Sequence, residues 1–371
     1  MRLFKIMSTK YSILHLIYVL SLCFQVIFVS GSRFVCIGHD KKERYKLCTS
    51  QGDVNCNVSS LSMVPQVLHE HRKPYYVQFC TTNIDLEEHI QFNKLYNVTF
   101  IGDQYKTIIN CTSKAGMSFS ESEGIQLENL IFDHCGAEHD STSVNVTSKN
   151  STLRFYSSIY AYNSTNFSMN NVTIRNSNGL GLTLFDVNGL VNINSCVFEN
   201  NGVAQNADHI PGGGGVYVEF TYCPPGRYDD SCDQHSDTSK TTNSTYRISN
   251  SDFTNNTASQ VMHTKTDFYV NEHEKFQGLG RGGGVQVIFR GKSSGNNVTL
   301  YNCSFYNNKA VWGGGLKASF QDESKNNSLL IVGIVKSVFQ QNTCFRNGGG
   351  CLLYTSPSPR DATLSRMPSS A

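Results

Sequence analysis

Asparagines and cysteines are the residues of this chain best equipped, by type and spacing, to do chemistry. Asn-x-Ser/Thr triplets begin at Asn57, Asn97, Asn110, Asn145, Asn150, Asn163, Asn166, Asn171, Asn243, Asn255, Asn297, Asn302 and Asn326. Each is an acceptor for an N-linked glycan if the chain enters the secretory route. Thirteen cysteines accompany them, and such a number behind a leader implies disulfides and an oxidising compartment. Cys223 and Cys232 bracket a Pro/Gly/Asp-rich stretch and are expected to close a local loop. Cys36, Cys48, Cys56 and Cys80 are expected to pair among themselves, with Cys111 as an alternative partner.

Catalytic patterns are weaker. Glycosidic-bond chemistry needs two carboxylates facing one cleft, ~5–9.5 Å apart. Glu219 lies on a strand whose neighbours carry Ile288 and Ser319 at the same column, and Asp229-Asp230 stands in a loop-type segment. His263, His273, Glu272 and Glu274 share one insertion without the H-E-x-x-H spacing that puts two imidazoles on one helix face. No glycine run carries a phosphate-binding lysine, and Lys41-Lys42-Glu43-Arg44 reads as a solvated face. The sequence therefore assigns no catalytic, cofactor-binding or metal residue.

The elements that must position these groups are repeats. Four segments align on a phenylalanine followed three residues later by asparagine: Phe198/Asn201, Phe253/Asn256, Phe305/Asn308 and Phe339/Asn342. Five residues before each Phe sits Ile193, Ile248, Leu300 or Ile334, and seven before sits Val191, Tyr246, Val298 or Val332. This period of two marks short strands. Glycine runs follow at 212–215, 282–284, 313–315 and 348–350, and the first three lead into VYVEF, VQVIF and LKASF. The first, third and fifth positions of those pentamers are apolar and are expected to face inward. The second and fourth (Tyr217/Gln286/Lys317 and Glu219/Ile288/Ser319) are expected to face out. Strands that bury one face cannot make a core singly, but stacked coil on coil they bury like residues on like. Asparagine at the corners suits left-handed backbone and can hydrogen-bond to its counterpart one coil away.

Phe-x-x-Asn followed by Gly-Gly-Gly and an apolar strand resembles the repeats of the chlamydial polymorphic outer-membrane proteins. It is also similar to right-handed parallel β-helix (pectin-lyase-like) proteins, over roughly 96–350 and most clearly from 191. The resemblance implies an all-β fold, a right-handed parallel β-helix solenoid. Residues 32–95 lack the repeat and are expected to form a disulfide-tied N-terminal cap covering the first coil.

Both ends of the chain read differently from its middle. Residues 1–31 combine Arg2, Lys5 and Lys10, an apolar run over 11–29 and the small residues Ser30-Gly31-Ser32, as a signal peptide does. Residues 351–371 break the repeat in mid-unit and resemble translated sequencing adapter, so they are expected to be disordered and packed against nothing. Removing both ends takes the formal charge from +2 to −2, since Arg2, Lys5, Lys10, Arg360 and Arg366 leave together with Asp361. No basic field remains to hold a nucleic acid. With 22 Phe and 18 Tyr the chain is also not of disordered composition.

These features lead to a secreted or cell-surface glycoprotein acting in adhesion, recognition or matrix assembly. Its partner is expected to be a surface glycan or protein, bound through the insertions at 221–245 and 259–281. Membrane attachment would come through an uncleaved leader or through sequence beyond the repeat. The competing class is an extracellular polysaccharide lyase or glycoside hydrolase.

Overall fold

A computed structural model describes residues 33–37, 47–49, 64, 75–79, 82–103, 105–111, 115–136, 157–202, 213–221, 244–258, 281–290, 296–321 and 330–355. It is all-β, built from three stacked parallel sheets that the chain visits in strict rotation. Sheet A contains β3 (Tyr75–Phe79), β6 (Val98–Ile101), β9 (Glu123–Glu128), β12 (Thr165–Asn170), β15 (Asn188–Asn194), β18 (Thr245–Ser249), β21 (Asn296–Tyr301) and β25 (Leu330–Val335). Sheet B contains β4 (Asn83–Leu86), β7 (Thr107–Cys111), β10 (Leu130–Asp133), β13 (Thr173–Arg175), β16 (Val197–Glu199), β19 (Asp252–Thr254), β22 (Ser304–Tyr306) and β26 (Val338–Gln340). Sheet C contains β5 (Ile90–Asn93), β8 (Met117–Ser120), β11 (Ser157–Tyr162), β14 (Leu180–Phe185), β17 (Val216–Thr221), β20 (Val285–Arg290), β24 (Leu316–Gln321) and β28 (Cys351–Thr355). A short fourth ladder joins β23 (Lys309–Trp312) to β27 (Thr343–Asn347). Each circuit crosses A, then B, then C, which is the arrangement of a parallel β-solenoid.

The repeat columns become ladder registers. Val191, Tyr246, Val298 and Val332 are successive partners, as are Ile193, Ile248, Leu300 and Ile334. Phe198, Phe253, Phe305 and Phe339 stack with centroids 4.9, 4.7 and 4.4 Å apart and nearly parallel rings. The first three are fully buried. Room for this stack comes from the last glycine of each run. A Cβ on Gly284 would lie 2.9 Å from the Phe305 ring and 2.6 Å from the Gly315 carbonyl oxygen.

Corners turn on single left-handed residues. Between A and B these are Asn129, Asn171, Ser195, Asn250, Asn302 and Lys336, and between B and C they are His134, Asn176, Asn200, Asn255, Asn307 and Gln341. Asparagine dominates because its short amide tolerates this backbone region. The residue after each B-to-C corner points inward. There Asn201, Asn256, Asn308 and Asn342 form a ladder: each Nδ2 of the first three donates to the Oδ1 of the next at 3.0, 3.0 and 2.9 Å.

Four expectations need correction. The coil stack begins upstream of residue 96, since β3, β4 and β5 already pair in parallel with β6, β7 and β8. Only β1 (Arg33–Ile37) and β2 (Leu47–Thr49) form an antiparallel pair among the described strands, at the outer edge of sheet A. Among the described residues the disulfide is Cys111–Cys135, joining adjacent coils at the B-to-C corner, so Cys111 is not a partner of the N-terminal cysteines. The pairing of Cys36, Cys48, Cys56 and Cys80, and of Cys223 with Cys232, lies outside the described residues.

The expected outward columns of sheet C do lie opposite the core, but they are not in solvent: Tyr217, Glu219, Gln286, Ile288, Lys317 and Ser319 are all buried. Part of the reason is local. The first turn of each glycine run doubles back over the strand, so a Cβ on Gly213, Gly282, Gly313 or Gly348 would meet residue 217, 286, 317 or 352 within 2.8–2.9 Å. All four glycines hold positive φ, which an L side chain would resist here. Finally, 351–355 is not free of the stack. It forms β28, in register with β24, and Cys351 and Leu353 pack against the core. An open sheet edge offers unpaired N–H and C=O groups to any alternating apolar segment, and Cys-Leu-Leu-Tyr-Thr is one. Residues 356–371 lie outside the description.

Candidate functional site

Three surfaces carry side chains that could do chemistry. The first is a charged column on the outer face of sheet B, read from the residue after the core position: Asp85, Asn110, Asp133, Arg175 and Glu199. Asp133 accepts two hydrogen bonds from Arg175, at 2.9 Å from Nε and 2.7 Å from the guanidinium terminus, and one at 2.9 Å from Asn176. The His134 imidazole lies 2.8 Å from it. Burial alone would raise the Asp133 carboxyl, but the Arg175 and Asn176 hydrogen bonds and the Arg175 and His134 charges outweigh it, and the group is held below its usual value. A carboxylate so saturated is a poor proton acceptor at neutral pH and a good clamp between coils. In the sequence the column is the position after Phe132, Ile174 and Phe198.

The second surface is an open concavity of about 290 Å³ at the A-to-B corner, lined by Asn250, Asp252, Asn302, Cys303, Ser304, Lys336 and Val338. Lys336 bonds to the Tyr301 hydroxyl at 3.3 Å and stands 5.5 Å from its ring centre. The thiol beneath, Cys303, is buried, and burial raises its pKa. Cys196 is in the same column, with Ser251 between the two, so the pair is two coils apart and neither forms a disulfide. Burial pushes the Cys196 thiol up to about 12, which keeps it protonated and inert.

The third is the buried outer face of sheet C. Glu219 is 1% exposed and accepts a hydrogen bond from the Tyr217 hydroxyl. Lys317 is 6% exposed. Its burial, with the nearby Arg281 charge adding to it, lowers the amine to about 7. The sequence had placed Gln286, Lys317 and Ser319 in solvent, because strand alternation alone cannot tell a covered back face from a wet one.

Of the sequon asparagines, Asn97, Asn110, Asn163, Asn166 and Asn302 are exposed, and Asn171, Asn255 and Asn297 are half-buried. Asn97, Asn163, Asn166, Asn171, Asn255 and Asn302 hold positive φ. Asparagine is thus favoured there by the backbone, whatever modification it receives. Asn171 and Asn302 also donate to Asn129 and Asn250 across the coils at 2.8 and 2.9 Å. Asn57, Asn145, Asn150, Asn243 and Asn326 lie outside the described residues, as do Asp229, Asp230, His263, His273, Glu272 and Glu274. Among the described residues no cluster of His, Cys, Asp or Glu could hold a metal, and no helix is long and apolar enough to cross a membrane.

No protein-family model, no curated protein and no solved structure matches the chain.

Proposed function

We propose that this chain is a secreted or cell-surface glycoprotein whose right-handed, pectin-lyase-like β-helix presents recognition segments for adhesion or matrix assembly. One observation carries the reading. From β11 onward the A-to-B corner is never interrupted, whereas the segments 203–212, 222–243, 259–280, 291–295 and 322–329 all enter or leave at the ends of sheet C strands. Polar segments of differing length, attached at the ends of one sheet's strands in a rigid stack, suit partner recognition. Aromatic residues in them, Tyr222, Tyr228, Phe268, Tyr269 and Phe276, supply the large contact groups that dominate binding energy.

The test is binding of the secreted protein to glycan and cell-surface panels, with 222–243 or 259–280 replaced by a short Gly/Ser linker. Loss of binding with unchanged thermal stability supports the reading; undiminished binding places recognition on the solenoid wall and overturns it. Turnover of pectin, alginate or a glycosaminoglycan, abolished by Glu219→Gln or Asp230→Asn, would move the protein to the polysaccharide-active class.

A further inference from the structure

We propose that Lys317, Ser319 and Gln286 form a binding site for a small carboxylate on the back face of sheet C. Gln286 and Lys317 are direct ladder partners on β20 and β24, and Ser319 follows Lys317 by two residues on the same side. The three are 0%, 6% and 1% exposed. Neither amide atom of Gln286 nor the Ser319 hydroxyl has a hydrogen-bond partner. Among the described residues no ion pair engages Lys317.

Many buried polar side chains bond coil to coil, as Asn201, Asn256 and Asn308 do, and as Ser157 does with Thr183 at 2.7 Å. Single atoms of Ser244 and Asn296 also lack a hydrogen-bond partner, but on β20 and β24 such groups lie beside a buried lysine. Leaving a buried donor or acceptor unmade is costly, and three such atoms meet here, the two of the Gln286 amide and the Ser319 hydroxyl. The charge is equally unbalanced. Arg281 is of the same sign as Lys317, and Glu219, on β17, is two strands from β24, roughly 10 Å away at ladder spacing, and already bonded to Tyr217.

A carboxylate repairs all of this at once. Lys317 and Ser319 stand ~7 Å apart along one strand, so one oxygen can take the ammonium and the other the hydroxyl. Gln286, ~4.8 Å across the ladder, offers an N–H to the same group and a carbonyl oxygen to a hydroxyl beside it. The chemistry specified is that of a short hydroxycarboxylate. Its source is either a free acid or an acidic side chain of the chain itself. With a carboxylate in place, the lowered Lys317 amine returns to or above its ordinary range.

Lysine 15Nζ NMR on the secreted protein tests this, with Lys317→Met identifying the resonance. With no addition the Lys317 midpoint is expected near pH 7. Saturating sodium glycolate should raise it by more than one pH unit, sodium acetate by less, and ethylene glycol not at all; Gln286→Leu should erase the difference between the two acids. A midpoint above the ordinary 10.5 without any addition, insensitive to glycolate, assigns the carboxylate to the chain itself. Leu352→Glu, which places an acid beside Lys317 in the ladder, should reproduce that state and abolish the glycolate response. A midpoint near 7 that neither acid moves overturns the proposal, as does a midpoint at 10.5, the mark of a solvated amine.

Discussion

The same B-to-C corner is closed in two ways along the solenoid. In the early coils the inward position after the corner is Cys135, bonded to Cys111 one coil before, and then Ser177, whose hydroxyl donates to the Cys135 carbonyl at 2.7 Å. From Asn201 to Asn342 the position is asparagine in every coil. Each side-chain oxygen of Asn256, Asn308 and Asn342 accepts both the backbone N–H and the amide N–H of the coil before. The core beneath differs in step: Ile84, Ile109, Phe132 and Ile174 in the early coils, an unbroken phenylalanine stack later. The early coils add the Asp133–Arg175 clamp outside. Where successive coils repeat, like side chains satisfy each other. Where the repeat is loose, a covalent bond and an ion pair do that work.

The sharpest way to break the later region is Phe305→Ala, which opens a gap between two stacked rings and should cost roughly 3–5 kcal/mol by chemical denaturation. Ile109→Ala, in the aliphatic early stack, should cost less, about 2–4 kcal/mol.

Lys317→Met tests the buried face of sheet C. In the carboxylate-free protein the folded-state value of about 7 lies below the ordinary 10.5. The unfolded chain therefore binds the extra proton between those pH values, and wild-type stability rises with pH across that window. The methionine variant should be more stable at or below pH 7, by up to about 5 kcal/mol at ~1.4 kcal/mol per unit. Its advantage should fade as pH approaches 10.5. Denaturation midpoints at pH 6.5 and 10 of both proteins check the sign.

Replacing Cys111 and Cys135 together by serine should cost roughly 2–4 kcal/mol for a loop of this length. Reductant should destabilise wild type by a similar amount and leave the double variant unmoved. Asn256→Ala breaks two rungs of the ladder and strands buried donors on Asn201, with an expected loss of roughly 1–3 kcal/mol. Amide exchange should then quicken at residues 201 and 256 and not at Ser177. The smallest effect is expected for Lys94→Ala, which removes an exposed 3.5 Å pair with Glu121 and should change stability by under about 0.5 kcal/mol.

The later coils were readable in advance because their Phe, Asn and Gly recur at fixed offsets. Register then follows from stacking like on like, and the observed ladders match those columns. The early coils were not, since Ile109, Phe132 and Ile174 fill the phenylalanine column with different shapes and Cys135 and Ser177 stand where asparagine later does. Six of the sequon asparagines look different once the backbone is known: their positive φ accounts for the residue type independently of any glycan.

The sequence by itself determined the stacked parallel strands, the inward columns and the asparagine corners, because each is set by local backbone preference and by period-two burial repeated from coil to coil. Only the tertiary structure decided which face stayed wet. The back of sheet C is covered in part because glycine runs fold over residues 217, 286 and 317, and strand alternation carries no information about what lies on the far side. Likewise the Cys111–Cys135 bond and the burial of Lys317, which has no ion pair among the described residues, arise from which coils become neighbours, and that proximity is a property of the folded stack.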